Sequence, residues 1–150
     1  MNDTFFSGCL FFNVNAFSRQ MLKVAEARFR PLELSPAHAS LLLVVFHKPG
    51  ISPKDLSLEL QLTPSTITRF IDSLAARDLV ARQNRGKATT IFPTEKSLCL
   101  KSSIATAYKQ LYTDYTGILG TEFALNLSLD IARASDQVSA FLKEDKSHIK

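Results

Sequence analysis

The sequence predicts a mainly α chain with one small β-hairpin, and three observations carry that expectation. Ser35-Pro36, Ser52-Pro53 and Thr63-Pro64 each place an N-capping hydroxyl before a proline at the first helical position, where the missing N–H is no loss and φ is already helical. Only Gln61-Leu62-Thr63 separates the helix starting at Pro53 from the one starting at Pro64, which is the spacing of a helix-turn-helix. After Asp78 the pattern switches to two β-like segments, 79–83 and 88–92, joined through the turn formers of Asn84-Arg85-Gly86-Lys87. Together these read as a winged helix-turn-helix with dimerising helices at both ends. One domain is expected over 1–150, with a winged lobe at about 35–94 and dimerisation helices at about 4–30 and 95–145.

The elements follow in order. Phe6, Cys9 or Leu10, Phe17, Met21, Val24 and Phe29 recur at near-helical spacing and predict a first helix from Thr4 to Arg30. The second, Ala37 to Lys48, is apolar nearly all round, as a central buried helix is. Ser52-Pro53-Lys54-Asp55 resembles a capping box with Asp for the usual Glu, opening a helix to Leu60. The next runs from Pro64 to Arg77, turning Leu56, Leu60, Leu62, Ile67, Phe70, Ile71 and Leu74 inward and Ser65, Thr66, Thr68, Arg69 and Asp72 outward or sideways. Helical spacing resumes from Glu95 to Ile118, Gly117 and Gly120 mark a break, and a last helix covers Glu122 to Lys143. The first and last helices carry more apolar residues than one small lobe can bury, so they are expected to pack on a second copy of the chain.

Composition narrows the functional classes. The chain is 45% hydrophobic, enough for a real core, and no apolar run approaches the roughly 20 residues of a membrane span. The N-terminus lacks a basic stretch before its apolar residues, and Cys9 and Cys99 are expected as reduced thiols in a cytoplasmic setting. Charge is distributed unevenly. Residues 63–101 hold seven basic side chains (Arg69, Arg77, Arg82, Arg85, Lys87, Lys96, Lys101) against three acidic ones, and this segment contains the whole formal +4 of the chain. A local positive field on a balanced protein is the footprint of a polyanion partner. No paired carboxylates, Gly-rich phosphate loop or Cys–His pairing suggests an enzyme, and His38, His47 and His148 have no local metal-ligand spacing, so neither cofactor nor metal is expected.

At this point the residues resemble a known family. The run Ser65-Thr66-Ile67-Thr68-Arg69-Phe70-Ile71-Asp72-Ser73-Leu74, then Leu79-Val80, then Pro93-Thr94-Glu95-Lys96, with Arg30-Pro31-Leu32-Glu33-Leu34-Ser35 before the second helix, is similar to the MarR family of bacterial transcriptional regulators. The likeness spans nearly the whole chain. It implies a homodimer that binds a pseudo-palindromic operator on double-stranded DNA as a regulator, expected to be a repressor, and is released by a small-molecule or oxidant signal. The hairpin tip is shorter than the family's usual wing and lacks its Asp. A winged-helix protein-interaction module without specific DNA binding is the alternative, motivated by that short wing.

Physical chemistry ranks the site residues. Arg69 suits base reading because a guanidinium spans both acceptors of a guanine edge, while Ser65, Thr66 and Thr68 suit phosphates or base edges at the helix start. For Arg69 a salt bridge to Asp72 is the competing role. Arg85 and Lys87 are expected on phosphates, and Arg77 and Arg82 fit an ordinary solvated surface. Cys9 resembles the sensing position of the family's hydroperoxide-responsive branch, although its phenylalanine neighbours favour a buried, inert thiol; Cys99 reads as core. By architecture, a small aromatic or anionic effector would sit where Phe17, Met21, His38 and Leu42 line a pocket beside Arg19.

Overall fold

A computed structural model describes residues 6–86 and 88–145, with Arg85 and Asp145 described by backbone alone. The elements are α1 (Leu10–Phe29), a 3₁₀ turn (Arg30–Leu32), α2 (Pro36–His47), α3 (Pro53–Leu60), α4 (Pro64–Ala76), β1 (Val80–Arg85), β2 (Ala88–Pro93), α5 (Glu95–Cys99), α6 (Lys101–Leu119) and α7 (Thr121–Asp145). The chain divides into two compact units at Leu111 and Tyr112.

In the first unit the hydroxyl-proline starts behave as their chemistry requires. Ser35, Ser52 and Thr63 each adopt extended backbone and accept a hydrogen bond from the N–H three residues on, at His38, Asp55 and Thr66. At Ser52 the capping box is modified. The Asp55 side chain accepts from the Ser52 hydroxyl at 2.7 Å, so the shorter carboxylate holds the cap in place of the backbone bond a Glu would make.

Around α2 the core closes. Leu41, Leu42, Val45 and Phe46 are buried there and meet Leu56 of α3, Ile67, Ile71 and Leu74 of α4, and Ile91 of β2. The turn between α3 and α4 lacks glycine, so Gln61 takes the left-handed conformation itself at φ 52°. Leu62 then donates to the Ser57 carbonyl at 3.1 Å, and the Ser57 hydroxyl is held on the Leu62 carbonyl. At Gly50 a side chain is excluded: φ is 85°, and a Cβ would stand 3.0 Å from the Phe92 ring. That close approach lets Gly50 N–H donate to Ile91 O at 2.8 Å and Ile91 N–H to Ile51 O at 2.9 Å, tying the hairpin to the α2–α3 connection.

Several boundaries differ from expectation. α1 begins at Leu10, because Cys9 is extended (φ −85°, ψ 108°) and its N–H closes a turn on Phe6 O; the expected start at Thr4 lies outside the described residues. α2 and α4 each lie within a residue of their predicted spans. The hairpin is longer at its tip. Asn84 and Arg85, expected in the turn, pair with Thr89 and Ala88 as strand residues. The single helix expected from Glu95 is divided: α5 stops at Cys99, and Leu100 separates it from α6. α5 opens with a full capping box unread in the sequence. Ser97, fully buried, accepts from Thr94 N–H at 3.0 Å while Thr94 accepts from Ser97 N–H at 3.1 Å. Cys99 is exposed rather than core, and Cys9 is half-buried.

The second unit holds the end of α6 and all of α7, separated by Gly120 at φ 83°. Along α7, Phe123, Leu129, Ile131, Val138, Phe141 and Leu142 are exposed, as are Leu10, Phe11, Phe12 and Val14 on α1 of the first unit.

Candidate nucleic-acid interface

The fourth helix is built to present its N-terminus. Ile67, Ile71 and Leu74 are buried along one side, which at 100° per residue turns Ser65, Thr68, Arg69 and Asp72 to the opposite stripe. Ser65, Thr68, Arg69 and Asp72 are exposed and Thr66 is half-buried at the flank. The helix start carries a cluster of hydroxyls: Thr63 Oγ1 lies 3.1 Å from Ser65 Oγ and 2.9 Å from Thr66 Oγ1. The Thr68 hydroxyl donates to Pro64 O at 3.0 Å, leaving its lone pairs outward. With the first N–H groups of the helix, these make a donor-rich, partly positive end suited to an anion. Thr63, which sequence reading treated as punctuation alone, is the cap at the centre of this cluster.

The basic side chains of the segment do different work. Arg82 on β1 forms an ion pair with Asp72, so it is neither free nor merely solvated, and Asp72 is taken by β1 rather than by Arg69. Lys96 donates to Arg77 O at 2.8 Å and Thr94 to Asp78 O at 2.7 Å, together holding the chain where it leaves α4. Lys101 sits 6.0 Å from the centre of the Phe46 ring. Arg69 makes no ion pair among the described residues and stands exposed on the outward stripe. Among the described residues, the basic segment thus holds Arg82 and Lys96 in structural contacts and leaves Arg69 exposed on the outward stripe. β1 runs to Arg85, whose side chain is outside the description, as is all of Lys87.

The Arg82–Asp72 pair is exposed on both sides and is worth at most about 1 kcal/mol. Its effect is geometric: it fixes the hairpin against the outward stripe of α4.

His38 sits beneath the same helix. Its ring meets Phe70 edge-on at 4.9 Å, and its Nε2 is buried without a hydrogen-bond partner among the described residues. Burial, then the nearby Arg77 charge, lowers the His38 pKa from its ordinary value of 6.5. Since the native state resists a proton that the unfolded chain accepts, stability is expected to fall as pH drops below about 6.5 and to gain nothing from His38 above it. Denaturant unfolding of wild type and His38→Gln from about pH 5 to 8 checks this, with the low-pH loss shrinking in the variant. A loss of equal size in both would refute it.

The other expected pocket residues are dispersed in depth. Leu42 is fully buried, Phe17 and Met21 are half-buried on α1, and Arg19 is exposed. A cleft of about 280 Å³ opens elsewhere in the first unit, between Arg28, Leu32, Ser103, Thr106 and Gln110.

Residues 34–86 match the model of the MarR family. The matched stretch coincides with the winged-helix lobe. The fold is also similar to that of solved MarR-type regulators. A cysteine-to-serine mutant of MarR from E. coli complexed with operator DNA is 14% identical, with TM-score 0.77, and the match covers 87% of this chain and 98% of that one. The M. tuberculosis transcriptional regulator MosR is 19% identical at TM-score 0.78, covering 90% and 98%. The repressor CouR bound to a 23-mer DNA duplex is 20% identical at TM-score 0.74, covering 86% and 94%. CouR has also been solved bound to p-coumaroyl-CoA. No curated protein matches the chain. Among the described residues no helix is long and apolar enough to cross a membrane, and no cluster of His, Cys, Asp and Glu is arranged to hold a metal ion.

Proposed function

We propose that this protein is a sequence-specific DNA-binding transcriptional regulator that acts as a homodimer on a pseudo-palindromic operator. The observation that carries the reading is the outward stripe of α4, where an exposed Arg69 stands beside the hydroxyls of Ser65, Thr66 and Thr68 at a capped helix start. That combination supplies a bidentate base reader and phosphate donors on one exposed helix, which a protein-docking module has no need of. Repression is the mode assigned to it, since a dimer seated on a promoter blocks access to it.

Homodimerisation is supported by the exposed apolar residues of α1 and α7, which a second copy of the chain would cover. A small aromatic or anionic effector is assigned to the region of Phe17, Arg19, Met21, His38 and Leu42, and the neighbour bound to p-coumaroyl-CoA supports the aromatic class. Cys9, half-buried at the start of α1, is the residue assigned to an oxidant signal.

Arg85 and Lys87 are assigned to phosphates at the hairpin tip. Replacing both by Ala should lower the slope of log affinity against log salt by about 0.9 for each phosphate that the tip no longer neutralises. An unchanged slope removes the hairpin tip from the interface. Selection of bound duplexes from a random pool tests the whole reading: a palindrome is expected, and binding with neither sequence preference nor salt dependence would favour protein docking instead.

A further inference from the structure

We propose that Asn84, held in place by Thr89, reads the minor groove beside the α4 site, donating its side-chain amide to the acceptors of A·T pairs. This rests on the DNA-binding reading above and adds to it a residue that neither charge nor motif points to.

Strand register supplies the placement. Asn84 lies opposite Thr89, and Arg82 lies opposite Ile91, one repeat further from the tip. Side chains alternate along a strand, so Arg82 and Asn84 share a face. That face is identified by Arg82, which reaches Asp72 on the outward stripe of α4. Asn84 therefore stands about 7 Å nearer the tip on the side of the hairpin turned toward that stripe. It is exposed, whereas Ile91 on the same face is fully buried, so the face passes from core to solvent within one repeat.

The chemistry is set by one hydrogen bond. Thr89 Oγ1 donates to Asn84 Oδ1 at 2.9 Å. A hydroxyl has a single proton, and using it here takes one of the two lone pairs of the amide oxygen, commits that end to Thr89 and leaves the NH₂ end as the outward donor. Both of those N–H groups lack a partner among the described residues. Asn84 thus presents donors and no charge. In the minor groove an A·T pair offers only the acceptors adenine N3 and thymine O2, while G·C adds the guanine N2 amino donor. The outward NH₂ end donates to the first and meets the second donor to donor. Lacking charge, Asn84 contributes base preference without the counterion release of its neighbours Arg85 and Lys87. Thr89 acts as a positioning residue.

The test uses the selected operator, with flanking A·T pairs replaced by 2,6-diaminopurine·T, which places an amino group in the minor groove alone, or by inosine·C, which leaves that groove without one. Wild type should bind the diaminopurine duplex roughly tenfold more weakly and the inosine duplex as it binds A·T. Asn84→Ala and Thr89→Val should bind all three alike with the wild-type salt slope, and Thr89→Ser, which keeps the hydroxyl, should restore the discrimination. Unfolding midpoints equal to wild type show that these surface variants fold. Indifference of wild type to diaminopurine, or discrimination that persists in Asn84→Ala, overturns the inference while leaving the operator intact. A selection that yields no preferred sequence overturns the DNA-binding reading and this inference with it.

Discussion

Phe29→Ala is expected to cost about 3–5 kcal/mol of stability in the first unit. The ring is fully buried at the last residue of α1, and its edge packs on Tyr108 of α6 with centroids 4.8 Å apart. Tyr108 is in turn fixed from below. Ser40 has one hydroxyl proton and donates it to Pro36 O at 3.0 Å, so in the 2.6 Å contact between the two hydroxyls Tyr108 is the donor. Burial raises the Tyr108 pKa from its ordinary value, so the phenol remains a donor throughout the neutral range. Removing Phe29 leaves a cavity that this bonded pair cannot relax to fill, so the transfer loss and the cavity loss add. Against a typical total of about 5–15 kcal/mol, that brings the first unit near its limit. Urea titration at fixed protein concentration should show a lower midpoint with the slope unchanged. A Phe29→Ala midpoint within about 1 kcal/mol of wild type would mean that α1 and α6 are held by other contacts.

What the sequence made legible followed local chemistry. Hydroxyl-proline pairs disclosed three helix starts because the cap and the first turn are decided within four residues. The apolar surround of α2 disclosed the centre of the core for a comparable reason, since it needs no knowledge of the partner. Errors gathered where tertiary pairing overrides local preference. Asn84 is a turn former by propensity, yet cross-strand pairing with Thr89 makes it a strand residue. Arg82 looked solvated because its partner, Asp72, is ten positions away on another element. Lys96 looked like part of a binding field, but it reaches nineteen residues back to a carbonyl at the end of α4. Cys99, flanked by leucines, read as core; the short α5 turns it outward, since Ser97 takes the buried position with its own hydroxyl bonds satisfied. The Thr94-x-x-Ser97 box was visible in principle, as a hydroxyl pair three apart directly after the proline that ends β2.

Arg69→Ala is expected to lose about 1–3 kcal/mol of discrimination at one base pair in each half-site, roughly 5- to 150-fold, while binding to unrelated duplexes changes little. The structure sharpens this expectation by removing the competing role. Asp72, three residues along the same helix, is held by Arg82, so the Arg69 guanidinium is not committed to an intrahelical pair and enters an interface with its donors available. The pairing also determines what the variant reports. Because Arg82 continues to neutralise Asp72 when Arg69 is removed, no bare carboxylate is left facing DNA, and the measured loss belongs to Arg69 alone. Arg69→Lys separates two contributions: it keeps the charge and hence the phosphate attraction, but a point-like ammonium cannot span the two acceptors of a guanine edge. Competition binding across all four bases at each operator position should therefore give a flattened preference at a single position for both variants, with the salt slope retained in Arg69→Lys. Equal weakening on every sequence would make Arg69 a phosphate contact, and base reading would then fall to the hydroxyls of Ser65, Thr66 and Thr68.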